Sequence, residues 1–162
     1  MFKIKLLILL LTSAFLFNCT KNSNITPSTK FSIAYIGGEY DGLLLQNLLT
    51  GYLNTLDIYD QASSYEIKSS IQHTSDLYIT NIDNTSDRTN IETFVSFEII
   101  NLDKKCIVFS YADNVSQFYI IASSDKFLSN QKAVKKIKKD NTEALVKSFI
   151  NKLSGLDLGC DE

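Results

Sequence analysis

The sequence predicts an α+β fold: a two-layer sandwich in the order β-α-β-β-β-α, with two helices packed on one face of a mostly antiparallel four-stranded sheet. Three observations carry this. Apolar residues recur at the helical period in two stretches, one early and one near the end of the chain. Three strand-like stretches joined by turn-forming segments lie between them. Each helix is apolar on one side only, and that side needs a sheet to cover it.

The first strand-like stretch, Phe31 to Ile36, alternates large and small residues and stops at Gly37-Gly38. From about Tyr40 to Leu56 the spacing becomes helical. Leu44, Leu48, Tyr52 and Leu56 line one face, flanked by Leu45, Leu49 and Leu53, with Gln46, Thr50, Asn54 and Asp57 opposite. Asp41 near the start suits the positive end of a helix. Tyr65 to Ile79 sets Tyr65, Ile67, Ser69 and Ile71 against Glu66, Lys68, Ser70 and Gln72, and residues 81–88 are dense in turn formers. Ile91 to Leu102 alternates again, and Asn101 to Lys105 reads as a hairpin turn. Cys106 to Ser123 is a long strand rich in Phe and Tyr, with a polar middle at Asp113-Asn114 that suggests a bulge or bend. The last helix runs from about Asn130 to Leu153. Val134, Ile137, Leu145, Phe149 and Leu153 form its apolar line, widened by Ala144, Val146 and Ile150. Gly155 closes it, and the tail to Glu162 reads as frayed.

The start of the chain carries an export signal. Lys3 and Lys5 precede an apolar run from Leu6 to Phe17, broken only by Thr12 and Ser13. A bilayer-spanning helix needs roughly 20 apolar residues, and this run has the length of a signal-peptide core instead. It ends Leu16-Phe17-Asn18-Cys19, which resembles the bacterial lipobox, with an aliphatic residue three positions before a cysteine. A plain signal peptide with a chance cysteine is the alternative. On the lipobox reading the chain is cut before Cys19, whose thiol takes a diacylglycerol. Each buried methylene contributes about 0.8 kcal/mol, so two or three chains hold a protein on a bilayer where one does not. Thr20, in place of an Asp, leans the expectation toward the outer membrane. The organisation is then a signal peptide over 1–18, a lipidated tether over 19–30 containing Pro27, the sole proline, an α/β domain over 31–154, and a tail over 155–162.

Losing Lys3 and Lys5 shifts the net charge from -2 to -4, which argues against nucleic acid as a partner. An exported compartment permits a disulfide between Cys106 and Cys160, although their spacing specifies none and Cys106 could equally be a small buried residue.

The stretches FSIAYIGGEYDGLLLQNLLTGYL (31–53), SSYEIKSSI (63–71), TSDRTNIETFVSFEII (85–100) and KAVKKIKKDNTEALVKSFINKL (132–153) occur in an order that resembles the bacterial LPS-assembly lipoprotein family. They match its opening strand with glycine break and first helix, the next strand, the Thr/Arg turn with the strand after it, and the terminal helix. The chain departs from the family in placing Gln46-Asn47 where a basic residue is usual. The resemblance implies a non-enzymatic outer-membrane subunit, lipid-anchored and facing the periplasm and a barrel lumen. Its expected partners are an outer-membrane β-barrel LPS-assembly protein, which it plugs and helps to assemble, and lipopolysaccharide itself. A different periplasm-facing accessory lipoprotein, serving barrel assembly or envelope maintenance, is the alternative.

The residues offer no catalytic set, and neither a cofactor nor a metal is expected. His73 is the only histidine and reads as a surface or edge residue; Glu66 and Asp76 read as solvated strand residues. Gly37-Gly38 has no further glycines to make a phosphate loop, and there is no CxxC. Lys132, Lys135, Lys136 and Lys139 share one broad helical side. That side is either a solvated face or a basic patch for phosphates of lipid A or an anionic membrane. Arg88 either anchors its own loop through carbonyls, Asp83 or Asp87, or touches a barrel wall. Phe118 and Tyr119 are each either core or an exposed contact.

Overall fold

In a computed structural model, the structure describes residues 29–79, 87–120, 127–156 and 158–160, without the side chains of Ile79, Asp87 and Phe127. The elements are β1 (Ser32–Ile33), α1 (Glu39–Thr55), β2 (Tyr65–Ile79), β3 (Asp87–Asn101), β4 (Cys106–Ile120) and α2 (Phe127–Leu153). The sheet order is β1-β2-β3-β4, with β1 parallel to β2 and the other pairs antiparallel. This is the fold class predicted from the sequence.

The first strand is much shorter than its alternation suggested. Phe31 N–H donates to the Ile58 carbonyl at 2.8 Å, and Ala34 N–H to the Ile67 carbonyl at 2.9 Å. The chain then leaves the sheet edge: Tyr35 is exposed while Ile36 turns into the core. Gly38 has φ 106°, a conformation that favours glycine, and it sets the entry into α1. The carbonyl of Gly37 lies against that first helical turn. A Cβ on Gly42 would stand 2.2 Å from the Gly37 carbonyl oxygen.

The three long strands alternate as expected. Ile67 pairs with Ile99, Ile71 with Val95, and Ile99 with Phe109, placing these residues on the helix-covered face. The other face carries Lys68, Ser70, Gln72, Thr74, Glu92, Ser96, Ser110 and Asn114, interrupted by Phe94, Phe118 and Ile120. The Asn101 side-chain oxygen accepts from the amides of Asp103 and Lys104, and Lys105 at φ 56° completes the hairpin turn. The irregularity in β4 is not at Asp113-Asn114. The register shifts between Ile99 and Ile100, opposite the Ile107–Phe109 segment. Asp113 keeps its ladder position and accepts from the Tyr111 hydroxyl at 2.6 Å.

Both helices pack on one face; the apolar line of α1 is displaced from the expected one, while that of α2 holds at Leu145, Phe149 and Leu153. In α1 the buried row is Gly42, Leu45, Leu49 and Leu53. The row Leu44, Leu48 and Tyr52 is half-buried, and Leu56 is exposed. In α2 the buried residues are Asn141, Thr142, Leu145, Val146, Phe149, Ile150 and Leu153, whereas Ala144 faces solvent. Phe149 is the centre of the core. It stacks on Phe97 at 4.1 Å between ring centroids and lies 6.4 Å from Phe109 and 6.3 Å from Tyr111. A fully buried Leu or Phe contributes about 1.5–3 kcal/mol, so the rows on the two helices outweigh any single polar contact. Gly155 at φ 94° ends α2, but the tail beyond it is docked rather than frayed. Leu156 and Leu158 pack against the core, and Cys160 is disulfide-bonded to Cys106 with Cα atoms 6.2 Å apart.

Candidate functional site

The polar residues that converge lie where the start of α1 meets the first half of α2 over the sheet. Asp41, in the first turn of α1, reaches across to Lys138 on α2, whose Nζ donates to Oδ2 at 3.2 Å. The other carboxylate oxygen lies 3.7 Å from His73 Nε2. His73 comes from β2 on the helix-covered face, and its side chain is 3% exposed, not at the surface or an edge as its neighbours suggested. Parity explains this: His73 follows Ile67, Ser69 and Ile71 on the same side of the strand.

Beneath His73 a hydrogen-bonded layer joins the strands to α2. His73 Nδ1 and Thr93 Oγ1 are 2.8 Å apart. Asn141 Nδ2, fully buried, lies 3.2 Å from both Thr93 Oγ1 and the Ile91 carbonyl, and 3.3 Å from the Val115 carbonyl. An amide NH2 has two donors, so these three acceptors share them. His73 Nε2 has no hydrogen-bond partner among the described residues. Burial pushes the His73 pKa below its ordinary value; Asp41 opposes that shift and Lys138 adds to it. The ring is therefore neutral at neutral pH. A proton on Nε2 points at Asp41 and leaves Nδ1 to accept from Thr93.

Above this cluster is a cleft of about 700 Å³ lined by Tyr40, Asp41, Tyr119, Asn130, Gln131, Val134, Lys135 and Lys138. Its walls are mainly apolar, with cations on the α2 side. The structure thus separates Phe118 from Tyr119. Phe118 is 60% exposed on the open face of the sheet, while Tyr119 points to the helix side and into the cleft.

The four lysines singled out in the sequence are all exposed on α2. They do not act alike. Lys136 pairs with Asp140 one turn on, Lys135 stands on the cleft rim, and Lys139 borders a shallower groove of about 330 Å³ against α1. Farther along, Tyr52 of α1 donates to Glu143 at 3.1 Å, and Lys147 pairs with the same carboxylate at 2.7 Å, which holds the Glu143 pKa below its usual value.

A minor lipoprotein of Acinetobacter baumannii superposes on this structure with a TM-score of 0.58, covering 78% of this chain and 90% of its own at 13% identity. The chain shares its fold with a bacterial lipoprotein. A Caulobacter crescentus protein described as a lipoprotein (TM-score 0.55, 76% and 87% covered) and rare lipoprotein B of Shewanella oneidensis (0.55, 76% and 96%) agree, each at 13% identity. At that identity the likeness is one of fold. No family model and no curated protein matches the sequence.

Arg88 is exposed at the start of β3 on the open face, registered between Tyr78 and Ile120. Asp83 and the Asp87 side chain lie outside the described residues, as does Cys19. No helix among the described residues is long and apolar enough to cross a membrane. Sequence reasoning missed Asp41, Lys138, Thr93 and Asn141 as a group. Only the β2 parity that sends His73 inward pointed to it, since its partners come from three other elements.

Proposed function

We propose that this chain is a non-enzymatic outer-membrane lipoprotein, anchored through Cys19 and facing the periplasm. Within that class, we propose the subunit that plugs and assists assembly of the β-barrel translocon inserting lipopolysaccharide. The observation that supports this best is a fold shared with bacterial lipoproteins, one of them rare lipoprotein B, following a lipobox-like leader. The open sheet face suits the role. Its Ser, Thr, Gln and Asn side chains, together with Glu66, Lys68, Asp76, Arg88, Glu92 and Glu98, make a polar face compatible with the polar interior of a large barrel. The exposed Lys132, Lys135, Lys136 and Lys139 offer cations to lipid A phosphates.

Co-purification tests the reading. A membrane-extracted chain whose intact mass includes the lipid, accompanied by one large β-barrel in roughly equal amount, is the expected result. Recovery of only barrel-folding or peptidoglycan-associated proteins would instead assign the chain to barrel assembly or envelope maintenance. Replacing Lys132, Lys135 and Lys139 with Gln should weaken lipopolysaccharide binding by roughly 100-fold, at about 1 kcal/mol per lysine near an anionic surface. Unchanged binding would remove the basic patch from the mechanism.

A further inference from the structure

We propose that the cleft between the start of α1, the end of β4 and the first half of α2 binds a small organic monoanion. The charged group of that ligand would meet Lys135 and Lys138, and its apolar body would lie between Tyr40, Tyr119 and Val134. The site is a concave one on the helix layer, apart from the sheet face, and it shares only Lys135 with the outer lysines.

Volume, charge and the buried polar layer converge on this class of ligand. A cleft of about 700 Å³ falls within the roughly 300–1,000 Å³ typical of small-molecule sites. Its lining carries two lysines and one carboxylate, a net charge of +1 with His73 neutral. Asp41 already engages Lys138 at 3.2 Å, and Lys135 stands one turn away on the rim. A monoanion balances the site, whereas a cation or a dianion leaves it charged. The apolar walls of Tyr40, Tyr119 and Val134 also disfavour a bare inorganic ion, which would leave them uncovered.

His73 gives the site a way to rearrange. When an anion draws Lys138 away, Asp41 loses its cation. The His73 ring, whose Nε2 lies 3.7 Å from Asp41, can then take a proton on Nδ1 as the Thr93 hydroxyl turns to accept from it, and so replace that cation. The groups facing the ring are Asp41 from α1, Lys138 and Asn141 from α2, and Thr93 from β3. Of these only Asp41 and Lys138 carry charge. Binding the anion therefore takes up a proton, and affinity should rise as the pH falls.

The test uses the full-length chain in phosphatidylcholine nanodiscs, with 4-fluorophenylacetate as probe, ¹⁹F NMR as readout and empty nanodiscs as background. Saturable line broadening is expected. It should weaken by roughly 3- to 10-fold in Lys135→Gln, an exposed position that leaves the fold alone. Val134→Trp, which fills the cleft, should abolish it while the circular dichroism spectrum is retained. Affinity should increase from pH 7.5 to 5.5 in the natural chain and stay flat in His73→Gln. Absence of saturable broadening would overturn the proposal. So would equal broadening of the neutral 4-fluorophenylacetamide, or natural affinity in Lys135→Gln or in folded Val134→Trp. A flat pH profile in the natural chain would overturn the proton coupling.

Discussion

Alanine at two glycines of α1 should move stability in opposite directions. In a helix interior, Gly→Ala ordinarily stabilises by about 1 kcal/mol, because glycine loses more backbone freedom on folding. At Gly51 the substitution meets nothing within 4 Å, so that gain should appear almost in full. At Gly42 the new methyl group would stand 2.2 Å from the Gly37 carbonyl oxygen, 2.8 Å from its carbon and 2.9 Å from the Ile36 carbonyl oxygen. All three are backbone atoms, so no side chain can swing aside. The helix start must retreat by about 1 Å, and overpacking of this kind typically costs about 1–3 kcal/mol. With three backbone contacts under 3 Å the cost lies in the upper part of that range, about 2–3 kcal/mol, so the clash outweighs the helix-propensity gain and leaves a net loss of about 1–2 kcal/mol. Urea unfolding of the full chain in detergent reads this directly. With m of roughly 1–3 kcal/mol/M, the Gly42→Ala midpoint should fall by about 0.5–1 M and the Gly51→Ala midpoint should rise by about 0.5 M. A Gly42→Ala midpoint at or above that of the natural chain would refute the close approach of residues 36–37 to α1.

Phe149→Ala removes the ring at the centre of the aromatic stack and should cost about 3–5 kcal/mol in the same assay; a loss below about 2 kcal/mol would mean that the layer collapses around the gap. Cys160→Ser opens a disulfide with a sequence separation of 54, worth up to about 4 kcal/mol by loop entropy. Thermal unfolding of the natural chain in reductant should fall to the same temperature as the variant. Stability should also decline as the pH drops from about 7.5 to 5.5. The His73 pKa is lowered in the fold, so the unfolded chain takes up protons first, below about 6.5, and the contribution is lost as the pH falls through the folded value. In His73→Gln, urea midpoints across that range should lose this part of the slope.

The long strands were legible because their alternation is uninterrupted where it matters, from Ile67 to Ile71 and from Ile91 to Ile99. The helices were legible as helices, and so was the row Leu145, Phe149 and Leu153 of α2, but the buried row of α1 was not. In α1, leucines occupy adjacent rows at 44/45 and 48/49, with Tyr52 beside Leu53. Periodicity alone cannot choose between such rows; packing on β2 selects 45, 49 and 53. In α2, Asn141 and Thr142 are polar and carry no apolar signal of burial. They are buried because Asn141 finds carbonyls on β3 and β4, partners far away in sequence. The β4 irregularity did leave a trace: Ile107-Val108-Phe109 and Ile99-Ile100 both abandon alternation at the register shift. The site was the least legible part, since Asp41, His73, Thr93 and Lys138 meet only once both helices have docked.

The domain's entry and exit points lie at the same end of the sheet. Ser32 registers with Glu66 near the beginning of β2, Tyr65 faces Asn101, and Cys106 at the start of β4 holds Cys160 of the tail. The cleft is at the opposite end, beside Tyr40 and Tyr119. If Cys19 bears the lipid, residues 19–30 can reach at most about 40 Å when fully extended. The disulfide end would then hang nearest the bilayer, with the cleft on the distal side. A ligand arriving from the aqueous space would meet the cleft first, and one leaving the membrane would have to pass the length of the sheet to reach it.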